Sequence, residues 1–150
     1  ALQEGERILS EYKYTLNNYV QTILNDESRV VEGRWSFMIV GDGLINEKML
    51  GAISSILSGI TKFEGKALFV RTITQDGDIS FSARKTKGCS STLNLGSIMA
   101  EASKFEGVGG GHDVAAGARV PPQRLNEFLR VIEDRLREVN EGKGQNTNRI

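Results

Sequence analysis

Gly107-Val108-Gly109-Gly110-Gly111-His112-Asp113-Val114-Ala115-Ala116-Gly117-Ala118-Arg119 is the stretch whose reading decides the fold. Three consecutive glycines carry a high backbone entropy cost on folding. A plain connector gives no reason to accept it. The physical reasons are a turn with φ > 0 or backbone that must come close to a partner. Successive N–H groups in such a turn can form a concave anion nest. His112, the chain's only histidine, ends the expected loop and can add a hydrogen-bond donor there. Beyond it, Val114, Ala116, Ala118 and Val120 alternate with Ala115, Gly117 and Arg119, which predicts a strand. The pattern is not a P-loop, because no Lys follows the glycines. It is not the dinucleotide fingerprint either, because a strand follows rather than a helix. A glycine-rich loop ending in a solvent-exposed histidine fits the same residues.

Working outward, Leu95, Ile98, Met99, Ala102 and Phe105 predict a helix capped by Asn94 and ended by Gly107. Before it, residues 70–84 predict a hairpin with Asp76-Gly77 as a two-residue turn. Its outgoing strand puts Ile79, Phe81 and Ala83 on one face, and Ser80, Ser82 and Arg84 on the other. Two hydroxyls and a guanidinium in line can accept an anion, with arginine gripping phosphate through paired N–H bonds. The solvated outer face of an antiparallel pair accounts for the same pattern. Lys85-Thr86-Lys87-Gly88 is a small basic loop.

Gly109-Gly110-Gly111-His112 followed by Ala115-Ala116-Gly117 resembles the signature of the DHH-associated C-terminal domain. That domain occurs in DHH-family phosphoesterases such as RecJ-like single-strand exonucleases and nano-RNases. Ser82-Ala83-Arg84 resembles the first part of a Ser-x-Arg-Ser-like segment in the same family; Lys85 stands where serine is common. The resemblance runs from about Trp35 to the last helix. It implies a domain that holds the phosphate and nucleotide of a substrate, with Ser82, Arg84, Gly109, Gly110, Gly111 and His112 as substrate-binding residues. The chemistry would sit on a separate N-terminal DHH-type domain, where two divalent metals, manganese or magnesium, activate a water. Such metal pairs stabilise the attacking and leaving oxygens of a phosphodiester. With one histidine and scattered aspartates, no catalytic or metal-ligating residue is expected in this chain. The expected partner is single-stranded nucleic acid or a short oligonucleotide. An alternative is an RNA-binding module related to the C-terminal domain of alanyl-tRNA synthetase. A third is an interaction or dimerisation domain that uses its helical faces.

The remaining segments complete an α/β reading, a small mixed β-sheet with helices packed on it in a single domain. Residues 6–24 predict an amphipathic helix with Ile8, Leu9, Tyr12, Leu16, Val20 and Ile23 inward. Trp35 to Val40 and Ala67 to Val70 are apolar runs that suit strands buried on both faces. Between them lies a helix with Asn46 as N-cap and Gly59 as its stop. After Pro121-Pro122, Leu125 to Val139 predicts a long helix. Residues 1–34 are expected to be a helix and connector leading in from a missing catalytic domain. Residues 35–140 would be the substrate-binding domain, and 141–150 a flexible tail. Lysine plus arginine balance aspartate plus glutamate at 19 each. That argues against coating long nucleic acid by charge alone, while leaving room for a local phosphate pocket. One cysteine excludes an internal disulfide or a cysteine metal cluster. With no apolar run of membrane-spanning length and no signal peptide, a cytoplasmic protein is expected.

Overall fold

A computed structural model describes the backbone of residues 2–148 and the side chains of residues 5–142. Its strands are β1 (Val30–Glu32), β2 (Ser36–Val40), β3 (Ala67–Ile73), β4 (Ile79–Arg84), β5 (Val108–Gly111) and β6 (Ala115–Val120). Its helices are α1 (Leu2–Leu24), α2 (Leu50–Ser58), α3 (Leu95–Ala100) and α4 (Leu125–Asn148). The six strands form one mixed sheet in the order β1-β2-β3-β4-β6-β5. Only β2 and β3 run parallel, joined by α2, and β3 is covered on both faces, as its continuous apolar sequence suits. The other pairings are antiparallel.

Strand alternation sorts the core into two layers. Phe69, Phe81 and Ala83 pack with Leu95 and Met99 of α3 and with Phe128, Ile132 and Leu136 of α4. Phe81 meets Phe128 edge-to-face at 5.3 Å between centroids, worth about 0.5–1.5 kcal/mol beyond area burial. On the opposite face, Phe37, Ile39, Leu68 and Val70 pack with α1 and α2. That second apolar layer covers β2 and β3 and stops there. Farther along the same face the sheet offers Ser80, Ser82 and Arg84 of β4, then Ala115, Gly117 and Arg119 of β6. This half of the face forms the candidate site.

The structure departs from the sequence expectations in several places. The glycine run is not a loop: residues 108–111 are the edge strand β5, paired with β6. The turn of this hairpin falls on Asp113 and Val114, with the His112 N–H donating to the Ala115 carbonyl at 2.9 Å. Glu106, at φ 61°, ends the preceding helical segment in the left-handed region rather than Gly107. The β3–β4 loop has three residues between Thr74 and Asp78, not a two-residue turn. Gly77 at φ 89° supplies its left-handed position. Strand β1 lies where a connector was expected, and its three residues are too few to show a period. In α1 only the C-terminal half packs: Leu16, Val20 and Ile23 are buried, while Ile8, Leu9 and Tyr12 are exposed. Helix α4 continues to Asn148, beyond Val139, where its apolar stripe ends; residues 149–150 of the expected tail lie outside the described residues.

Candidate functional site

The site is the half-face of the sheet formed by β4, β6 and β5, flanked at β4 by α2. Register brings its residues together in rows across the three strands. Ser82 lies opposite Gly117, which lies opposite Gly110. Two residues on, Arg84 lies opposite Ala115, whose carbonyl accepts from His112. Ser82, Arg84, Gly110 and His112, far apart in the chain, therefore share one end of the open half-face.

Helix α2 fixes Arg84. The Arg84 guanidinium donates from Nε to Ser54 Oγ at 3.3 Å and from Nη2 to the Gly51 carbonyl at 3.3 Å. Its Nη1 carries no hydrogen bond among the described residues. Ser54 is fully buried, donates to the Gly51 carbonyl at 2.9 Å and lies 2.7 Å from Ser82 Oγ. A hydroxyl has one hydrogen and two lone pairs. Either hydroxyl of the Ser54–Ser82 pair can be the donor, and the contact ties Ser82 into the scaffold behind Arg84. The Ser80–Ser82–Arg84 face is not a solvated one: both serines are buried.

The glycines divide by face. A Cβ on Gly109 would lie 2.0 Å from the Met99 carbonyl oxygen of α3, and one on Gly111 would lie 2.7 Å from Ala116 Cα. Gly111 also has φ 139°. The close approach predicted for the run is therefore partly an approach to α3, and Gly109 serves packing. Gly96 completes that seam, since a Cβ there would lie 2.3 Å from the Gly111 carbonyl oxygen. The Leu95 N–H also holds the Asp113 carbonyl at 3.0 Å. Gly110 differs: φ is 155°, and a Cβ would meet nothing within 4 Å. Nothing packs against it there. His112 is exposed, and its side chain carries no hydrogen bond among the described residues.

The other end of the half-face holds residues that the sequence reading did not single out. Arg119, two residues beyond Gly117 on the same face, donates from Nη2 to Glu47 Oε1 at 2.6 Å and also reaches Oε2. Glu47 stands on the turn leading into α2. The Arg119 hydrogen bond holds the Glu47 carboxyl below its ordinary range, burial opposes this, and Ser80 adds to the lowering. The same bond raises Arg119, helped by the nearby charges of Glu47, Asp78 and Asp76. Sequence held one usable signal for the missed residues. Ser54 interrupts the inward stripe Leu50, Ile53, Leu57, and a polar residue at a buried helix position is the informative exception. The Glu47–Arg119 pair, 72 residues apart, left none.

With the geometry in place, residues 36–138 match the DHHA1 domain family. The chain belongs to the DHHA1 domain family. An uncharacterized protein of Methanocaldococcus jannaschii is 33% identical over 135 residues, which cover 87% of this chain and 27% of that protein. The chain thus spans about a quarter of the length of this curated relative. Solved structures with the same DHHA1-type fold include the C-Ala domain of alanyl-tRNA synthetase from Aquifex aeolicus. Its TM-score is 0.57 at 21% identity, covering 71% of this chain and 96% of that one. The pGpG-specific phosphodiesterase PggH from Vibrio cholerae gives a TM-score of 0.58 at 11% identity, covering 89% of this chain and 42% of that one. A DHH domain described as belonging to a family of ribosomal proteins gives 0.61 at 15% identity, covering 89% and 33%. These likenesses show the fold. Among the described residues, no group of three or more His, Cys, Asp or Glu side chains is arranged to hold a metal. No described helix is long and apolar enough to cross a membrane.

Proposed function

We propose that this DHHA1 domain is the substrate-holding half of a DHH-family phosphodiesterase, of the RecJ-like exonuclease or oligonucleotide phosphodiesterase type. The observation that carries it is the row Arg84–Ala115–His112 at one end of the open half-face. Arg84 is braced from behind by two neutral acceptors, which use one hydrogen of Nε and one of Nη2 and leave Nη1 and the second Nη2 hydrogen for a paired contact with a ligand. A phosphate held by Arg84 would lie on the half-face that also carries the open backbone of Gly110, with His112 able to donate to the bound substrate. Substrate would be single-stranded nucleic acid or a short oligonucleotide in the cytoplasm. The cleaving water and its manganese or magnesium pair would belong to a DHH-type domain of the same protein, to which residues 1–34 lead. No step of the cleavage itself is assigned to residues of this chain.

The test is titration of the full-length protein with a short single-stranded oligonucleotide at fixed salt, with divalent metal withheld. Arg84→Ala and Arg84→Lys are both expected to weaken binding, because lysine cannot make the paired contact. Equal affinity for wild type and both variants would leave Arg84 a structural residue and remove the proposal. The isolated domain is expected to show no metal-dependent cleavage; robust manganese-stimulated activity in a nuclease-free preparation would contradict the division of labour.

A further inference from the structure

Helix α1 carries one apolar stripe through two different surroundings. At about 100° per residue, Ile8, Leu9, Tyr12, Leu16, Val20 and Ile23 fall within a sector of about 120°. Leu16, Val20 and Ile23 are buried in the layer that α2 builds on β2 and β3. Ile8, Leu9 and Tyr12 continue the stripe and are 59%, 53% and 45% exposed. Every residue from 5 to 15 is exposed, so this half of the helix stands clear of the domain. Exposed Tyr14 lies on the far side, with the Arg7–Glu11 ion pair. A helical segment this short is marginal in water without tertiary cover. Its unbroken apolar stripe asks for a second surface.

We infer that the first half of α1 is seated on the DHH-type domain proposed to precede it, so that one helix belongs to two domains. Residues 5–15 join the core of the preceding domain, and residues 16–24 belong to this one. This rests on the functional reading above only in that a further domain of the same protein precedes α1. Size decides against a second copy of the chain as the cover. A stable pair takes about 20–30 residues from each partner. The arm offers residues 5–15, with three large apolar side chains on the stripe. A contact within one chain needs less area, because the tether holds the two surfaces at an effective concentration on the order of millimolar. The similar proteins have chain enough to form such a surface: the match covers 27% of the Methanocaldococcus jannaschii protein and 42% of the PggH structure. Helix α2 packs on the buried half of α1 and, through Ser54 and Gly51, orients Arg84. Arm, α2 and Arg84 therefore move as one body, and seating the arm sets where Arg84 stands relative to the neighbouring domain.

The experiment is hydrogen exchange, read by mass spectrometry, on the full-length protein, with the amides of residues 16–24 as internal reference. Residues 5–15 are expected to exchange slowly, within about tenfold of the reference, as amides of one cooperative unit do. Leu9→Ser combined with Tyr12→Ser alters only side chains that are exposed in this domain. It should speed exchange over residues 5–15 by about tenfold or more and leave residues 16–24 unchanged. Tyr14→Ser, on the far side, controls for helix propensity and should keep protection within about twofold of wild type. Free exchange of residues 5–15 in wild type, or an equal loss of protection in Tyr14→Ser, would overturn the docking. Protection that fades on dilution while the sedimenting mass halves would also overturn it, because a second copy would then be the cover. Metal-free titration with a short oligonucleotide separates the two readings. Slow exchange in the arm, with Arg84→Ala binding like wild type, upholds the docking and removes the phosphate reading alone. Free exchange in the arm, with Arg84→Ala weakened, does the reverse.

Discussion

Arg84 and Arg119 lie on the same face of the same sheet, one on β4 and the other on β6, yet their surroundings give them different work. Arg84 is braced by a serine hydroxyl and a backbone carbonyl, both neutral. It is oriented without losing its charge. Arg119 is braced by a carboxylate, with two more acids nearby. It is oriented and neutralised together. In the proposed reading, position on the sheet does not decide which arginine can take a phosphate; the charge of the group that orients it does.

The largest expected effect tests this contrast directly. In the full-length protein, Arg84→Ala should weaken binding of a short oligonucleotide by about 1.5–3 kcal/mol, the range for hydrogen bonds to charged groups. That is roughly tenfold to more than a hundredfold. Arg84→Lys should recover little of it. Arg119→Gln should change the same short-oligonucleotide affinity by no more than a few-fold. Equal losses at the two positions, measured at one salt concentration, would erase the distinction.

A smaller effect should follow from the brace itself. Ser54 touches no substrate in this reading and acts by holding Arg84. Ser54→Ala should cost about 0.5–1.5 kcal/mol of oligonucleotide affinity, and the loss should vanish in an Arg84→Ala background. That double-mutant cycle separates positioning from general destabilisation, because a merely structural serine would show the same loss in both backgrounds. His112→Ala should fall in the same range with the fold and metal content intact. Its side chain is exposed, and no bond among the described residues depends on it.

What was legible in the sequence divides along similar lines. The apolar runs of β2 and β3, the cap Asn94, and the alternation through β4 and β6 are local patterns, and each appears where it was expected; Asn46 instead caps the short 3-10 turn Glu47–Met49 that leads into α2, whose own N-cap is Met49. The glycines were legible as a demand for unusual backbone, but not as a strand. No side-chain period exists in a run that has no side chains. The partner that Gly109 approaches, the Met99 carbonyl, is set by tertiary packing. Ile8, Leu9 and Tyr12 share a period with Leu16 and Val20, so periodicity could not show that only the latter are covered. The glycine–histidine run and the Ser80–Ser82–Arg84 face stood out from the residues alone, and the family resemblance tipped them toward a phosphate-binding role. Ser54, Glu47 and Arg119 join the same half-face through contacts across 30 and 72 residues, which no local window contains.

The smallest effect is on stability and carries a definite pH dependence. The Glu47 carboxyl is held below its ordinary value of 4.5, chiefly by the Arg119 hydrogen bond. A carboxyl with a depressed folded pKa contributes stability that is fully present above its unfolded pKa. That stability is lost as pH falls through the folded pKa. Wild type should therefore exceed Glu47→Gln in unfolding free energy at neutral pH. The gap should begin to close as pH falls below about 4.5 and be gone beneath the lowered folded pKa. Both side chains are 36% exposed, so solvent screening limits the gap to roughly 1 kcal/mol or less. Added salt should narrow it further. The partners of Arg84, a hydroxyl and a carbonyl, do not titrate in this range. The stability difference between wild type and Arg84→Ala should accordingly stay level over the same acid interval. Chemical denaturation at a series of pH values, run on all three proteins, compares the two ends of the half-face directly. A wild-type to Glu47→Gln gap that stayed constant through that interval would show that the carboxylate does not secure Arg119. The difference between the two arginines would then need another cause.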